Sequence, residues 1–212
     1  MGIGGGPGEW AGYALADYEW VRLADLPHPR RRTTTERARP GAAAATGSAD
    51  GESLGPALTD WLRRNPLWQE DSRARVLLVD LDNLRADPSR WRARMTAVVA
   101  LAREADHTVL AGQQGAVERA RPHLAEFAAQ ALGVADGSDV ADHALLDAAE
   151  EVREELDQVV VLSNDGIFAQ LADHGGRLTV LSPGADALSD RLRDAATRVV
   201  DLAEVERDVA RT

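Results

Sequence analysis

The chain contains no cysteine and no lysine. Without thiols, a disulfide framework and a thiolate zinc site are both excluded. Without lysine, every mechanism that depends on a lysine ammonium is excluded, and all 24 basic residues are arginine. The accompanying excess of Ala, Arg and Gly fits GC-rich coding better than a functional cause. No apolar run approaches the length that crosses a bilayer, so no membrane partner is expected. The opening MGIGGGPGEW has neither a charged start nor an apolar stretch behind it. It does not read as a secretion signal, and a cytoplasmic location is the expectation. Aromatics make up only 4% of the chain, and they are unevenly placed.

What is present suits a globular protein. A length of 212 residues with 44% hydrophobic content allows one domain with attached tails. The net charge of −11 argues against a protein that coats nucleic acid generally, because counterion release needs many cationic contacts. Nine acids fall between Asp136 and Asp157 against the single Arg153. Such a stretch is ordinarily a solvated helix face, with a few members free to face a metal.

Residues 1–72 read as a flexible N-terminal arm, within which 29–55 lacks hydrophobic periodicity and is expected to be a disordered linker. Four of the five tryptophans (Trp10, Trp20, Trp61, Trp68) and both tyrosines precede residue 71. Aromatic side chains are costly to leave in water. Their segments are expected to dock on the domain itself or on a protein partner.

From residue 73 to 212 strands and helices alternate. RVLLVDL (75–81) is an unbroken apolar run suited to a buried parallel strand. Further strands are expected at 107–112, 158–163, 177–182 and 198–202. Helices are expected near 89–104, 115–132, 139–156, 165–174 and 185–196, with a closing helix after 202. This alternation predicts an α/β fold with right-handed crossovers and a parallel sheet of four to five strands covered on both faces. In such sheets functional groups collect at the carboxyl ends of the strands.

Two strand ends carry acids there: Val79-Asp80-Leu81-Asp82-Asn83-Leu84 and Leu162-Ser163-Asn164-Asp165-Gly166. An ionised group at a buried tip gains nothing unless it is paired, hydrogen-bonded or bound to metal. The plainer roles are a turn at Asp82-Asn83 and a helix cap at Asp165. Asp80 is harder to explain that way, because Asp is disfavoured in strands. A third contribution comes from DGSDVADHALLDAA, where Asp139 and Asp142 share one side of a helix. Asp139 as N-cap with Asp142 at N3 is the competing reading. His143 has no histidine partner at ligand spacing, and Asp147 in mid-helix reads as solvated.

The order VDLDNL, ADHALLDAA, VVVLSNDGIFAQLA, over about residues 75–183, resembles the NYN branch of PIN-like ribonucleases. The resemblance implies a three-layer PIN-like fold and a carboxylate-held Mg²⁺ or Mn²⁺ that serves hydrolysis of RNA phosphodiesters. It implies Asp80, Asp142 and Asp165 as catalytic residues, with Asp82 as a further metal ligand. Asn83, Arg85, Ser163 and Asn164 would then face the substrate. The neighbouring Arg90, Arg92 and Arg94 either guide the strand with Arg85 or form a solvated helix face. Ile167 departs from the pattern, standing where the family often has a second acid. The spacing from Asp142 to Asp147 departs as well, so only Asp142 carries over.

Those departures keep a second reading open: a weak or inactive PIN-like RNA-binding or scaffold protein. VDLDNL also resembles the Asp-x-Asp of haloacid-dehalogenase-like phosphatases, but Leu84 and the missing lysine argue against them. A homodimer stays open as well.

Overall fold

The computed structural model describes residues 49–211, apart from residues 138, 154 and 155. The aromatic stretch 8–28, expected to dock, lies outside the described residues.

The element order is α1 (Ala49–Arg64), β1 (Arg75–Asp80), α2 (Pro88–Ala102), β2 (His107–Gln113), α3 (Gln114–Ala120), β3 (Ala131–Val134), α4 (Val140–Glu151), β4 (Gln158–Leu162), β5 (Arg177–Ser182), α5 (Asp190–Ala195), β6 (Arg198–Asp201) and α6 (Leu202–Val209). Short 3-10 turns join several of these, and the longest is Gly166–His174. The six strands form one sheet in the order β3-β2-β1-β4-β5-β6, and every pairing is parallel.

The sheet therefore has six strands rather than the expected four to five, and β3 is the strand missing from the five expected ranges. Helix was expected to run through 115–132. Instead α3 stops at Ala120, and Pro122 sits in a 3-10 turn that breaks the helix. Ala131–Val134 then pairs with the end of β2 as an edge strand. The acidic helix is also shorter than 139–156, spanning Val140–Glu151.

Parallel strands require right-handed crossovers, and the strand order fixes which face each helix covers. The chain steps one way from β1 through β2 to β3, which sets α2 and α3 on one face. It then reverses to β4, β5 and β6, which sets α4, the 166–174 turn and α5 on the other. Contacts follow this division: α1 lies against α2 and α6, while α4 and α5 both touch the 166–174 turn. The sheet is thus flanked by helices on both faces.

Side-chain alternation divides the strand residues the same way. Leu77 and Val79 of β1, with Val160 and Leu162 of β4, join a core with Leu58, Met95 and Val205 from α1, α2 and α6. Leu78 and Asp80 consequently point to the α4 face.

The folded unit reaches back at least to residue 49, so 49–55 is helical rather than part of a linker, and residues before the expected boundary at 73 belong to the core. Leu54, Leu58, Leu62, Leu67 and Trp68 are all buried. The segment between α1 and β1 is tied down by the buried Gln158 side chain. Gln158 accepts from the Gln69 amide and the Ser72 hydroxyl, both at 2.8 Å, and donates to the Leu67 carbonyl at 2.6 Å.

A buried ion pair closes the α1–α2–α6 side. Arg94 on α2 meets Glu206 on α6 through two bonds, 2.6 and 3.1 Å long. The same guanidinium donates to the carbonyls of Pro183 at 2.9 Å and Arg85 at 3.5 Å. Removing one member of such a pair strands a buried charge, at about 3–5 kcal/mol. Glu206→Ala is therefore expected to lower the unfolding free energy by about that amount in urea titration. The double variant Arg94→Met/Glu206→Leu should recover most of the loss, and an additive double variant would contradict the pairing.

Candidate metal centre

The carboxyl edge of the sheet follows from the register. Val79 pairs with Leu162, so the next residues, Asp80 and Ser163, stand side by side on the α4 face. Ser163 is fully buried, and its hydroxyl donates to Asp80 Oδ2 at 3.0 Å while accepting from the Asp165 amide at 3.1 Å. Asp80 is 2% exposed. Its Oδ1 accepts from the amides of Asp82 and Asn83, and its Oδ2 accepts from the Asn83 side chain. Burial raises the Asp80 carboxyl above its usual value, against the lowering by these hydrogen bonds. Asp80 is thus locked in place at the topological switch point, where ligands bind in open parallel sheets.

A crossover helix begins at this same edge, because it follows the carboxyl end of a strand. Asp142 in the first turn of α4 is therefore delivered to Asp80's side of the sheet, and it is 8% exposed. Asp139 precedes the helix with φ 65° and ψ 2°. This left-handed conformation is one that Asp tolerates better than most residues. The Asp139 side chain makes no capping hydrogen bond. The capping arrangement expected as the plainer reading is absent, and the Asp139 carboxylate is left to its neighbours. Asp165 does cap: its Oδ1 accepts from the Ile167 amide at 2.9 Å.

One carboxylate oxygen each from Asp139, Asp142 and Asp165 lies within 4.8 Å of the other two. Burial pushes the Asp142 carboxyl up to about 7, and the charges of Asp80, Asp165, Asp139 and Asp82 add to the rise. No arginine among the described residues is among the charges acting on it. The donor set fits a hard divalent cation, which takes oxygen ligands at about 2.0–2.6 Å and so spans oxygens about 4–5 Å apart. Mg²⁺ or Mn²⁺ would be held by Asp139, Asp142 and Asp165.

The residues named from sequence fare differently here. Asp142 and Asp165 come together. Asp80 joins them electrostatically but spends its oxygens on Asn83, Ser163 and the following turn. Asp82 turns to β2, where its Oδ2 accepts from the Gln113 amide at 2.7 Å. Gly112 permits this approach, since a Cβ there would stand 2.9 Å from Leu81 Cβ. Asn83, expected to face substrate, instead orients Asp80. Ser163 has no exposed surface to offer a substrate. Asn164 accepts from the Ser182 hydroxyl at 2.6 Å and donates to the Gly184 carbonyl at 3.4 Å. Arg85 and Arg92 are exposed, Arg90 pairs with Asp87 at 3.4 Å, and Arg94 is buried against Glu206. Asp147 is exposed on α4. Asp139 is the acid whose role the sequence left open between ligand and cap. Its three-residue spacing from Asp142 was visible, but that spacing equally describes a cap.

No family model matches the chain, and no curated protein matches it. Among solved structures it is similar to a protein of unknown function from Vibrio parahaemolyticus, with 18% identity and a TM-score of 0.42 over 63% of this chain and 96% of that one. A likeness at that level leaves function to the chain's own residues.

The raised Asp142 carboxyl has a definite effect on stability. Its folded value lies above its unfolded value of 3.8, so between the two the folded state binds more protons. Without added metal, stability is expected to fall as pH rises from about 4 to about 7, then level off. Asp142→Asn should flatten that slope, leaving the part due to the raised Asp80 carboxyl, and raise Tm at pH 8, as read by thermal melts across pH. Added Mn²⁺ should raise Tm at pH 8 in the wild type, by much less at pH 5 where Asp142 is protonated, and not at all in Asp142→Asn.

Proposed function

We propose that the protein is a divalent-metal-dependent ribonuclease of the NYN, PIN-like type, working in the cytoplasm. The observation that carries this reading is the convergence of Asp139, Asp142 and Asp165 within 4.8 Å, with no arginine among the described residues compensating Asp142. Acids gathered without a counter-ion are relieved by a cation. The motif order that resembles the NYN branch supplies the reaction class, and Mg²⁺ or Mn²⁺ suits the all-oxygen donors. No helix among the described residues is long and apolar enough to cross a membrane, in keeping with an aqueous polymer as substrate.

Such a cation supplies positive charge beside the scissile phosphodiester and acidifies a coordinated water. The protein's own groups do the rest. Asp142, Asp165 and Asp139 hold the charge in place. Asp80, fixed by Ser163 and Asn83, adds a negative wall behind them and keeps their potential high. Asp142 must ionise to act as a ligand, so metal affinity rises with pH through the region of 7. The departure at Ile167 is offset by Asp139, which brings a third carboxylate from another element.

A PIN-like RNA-binding or scaffold protein without cleavage is the second reading, and Ile167 together with the cap made by Asp165 favours it. Incubation of mixed single-stranded RNA with Mg²⁺ or Mn²⁺ separates the two. The nuclease should cut only with metal, and Asp142→Asn and Asp165→Asn should each lose about 100-fold or more in rate. Asp139→Asn should lose rate as well, because its carboxylate completes the same three-oxygen cluster. RNA retention without cutting in any metal would select the second reading. Cutting that is equal in wild type and variants would refute the assignment.

A further inference from the structure

We propose that Arg191 receives the phosphate of the RNA strand at the carboxylate centre; this rests on the nuclease reading above. The first turn of α5 is built against the third acidic motif. The Ser189 amide donates to the Asn164 carbonyl at 3.0 Å. Gly166, next to Asp165, lies so close that a Cβ there would stand 2.5 Å from Ser189 Oγ and 3.8 Å from Arg191 Cβ. Arg191 therefore springs from a point adjacent to a residue that neighbours the metal-facing acid.

Arg191 is exposed, and its side chain has no hydrogen-bond or ion-pair partner among the described residues. Two positions along α5, Arg193 is spent on Asp190 at 2.8 Å and on the Ala185 carbonyl at 3.2 Å. Arg191 remains available for an anion.

A polyanion approaching this edge meets Asp80, Asp82, Asp139, Asp142 and Asp165 on a chain of net charge −11. One divalent cation offsets only part of that. A guanidinium at the rim supplies further positive charge and grips a phosphate through paired N–H donors. Arg85, the residue favoured by sequence, stands on the loop that leads from β1 to α2, toward the opposite face of the sheet. Arg191 instead shares the face of α4, where Asp142 lies. Placement, rather than nearness to VDLDNL in the sequence, selects it.

The test uses the full chain, Mn²⁺ and a short single-stranded RNA of mixed sequence, comparing wild type, Arg191→Gln, Arg191→Lys and, as a control on the opposite face of the sheet, Arg119→Gln on α3. Arg191→Gln should raise KM about tenfold with kcat little changed. It should also flatten the dependence of log affinity on log salt by about 0.7, the share of one phosphate on a single strand. Arg191→Lys should recover part of the affinity and all of the salt slope. If the wild type cleaves and Arg191→Gln matches Arg119→Gln in KM and slope, the inference falls while the nuclease reading stands. A loss in kcat with KM unchanged would also overturn it. If the wild type neither binds nor cuts the RNA with metal present, both fall together.

Discussion

Asp142 is a carboxyl group buried among four other acids, and the upper edge of the molecule is organised around that unfavourable neighbourhood. Asp80 is held by side-chain bonds from Asn83 and Ser163 and by two backbone amides. Asp82 rests on the Gln113 amide and Asp165 on the Ile167 amide. No hydrogen bond from a described residue contributes to the value of Asp142, so its charge is the one left for a cation or a proton to relieve. Buried acids are expensive unless partnered, and burial with four neighbouring acids is what raises Asp142.

The sheet supplies the geometry. Reversal of strand order between β1 and β4 opens a crevice at their carboxyl ends, and strict alternation along β1 aims Asp80 at the α4 side. Because every crossover helix starts at that edge, the first turn of α4 and the start of the 166–174 turn arrive there without special adjustment. Only Asp139 needs an uncommon backbone conformation, at φ 65°.

Most of this frame could be read from sequence because buried parallel strands leave unbroken apolar runs. The run at 75–81 and the one at 158–163 gave both the strands and the acids at their tips. Three features were hidden for physical reasons. β3 is an edge strand of four residues with an exposed Leu132, too short to interrupt the pattern of the helix before it. α1 contains Gly55 and Pro56, which ordinarily argue against helix. Gly55, however, lies against Thr96, whose Oγ1 a Cβ would approach to 3.1 Å, so the glycine serves close packing of α1 on α2. Asp139 was obscured because cap and ligand demand the same spacing, and only the dihedral angles distinguish them. The substrate roles expected for Asn83, Ser163 and Asn164 came with the resemblance to the NYN branch, and a motif says nothing about which way a side chain is spent.

The Arg94–Glu206 pair has a bearing on how the molecule comes together. Arg94 sits on the second helix, yet its counter-charge is carried 112 residues later. Until residue 206 has left the ribosome, α2 cannot settle against the sheet without sealing in a bare guanidinium. The same guanidinium reaches the carbonyls of Arg85, after β1, and Pro183, after β5, so the pair also ties two loops at the carboxyl edge. The packing of α2 on the sheet therefore depends on a helix from the far end of the described residues.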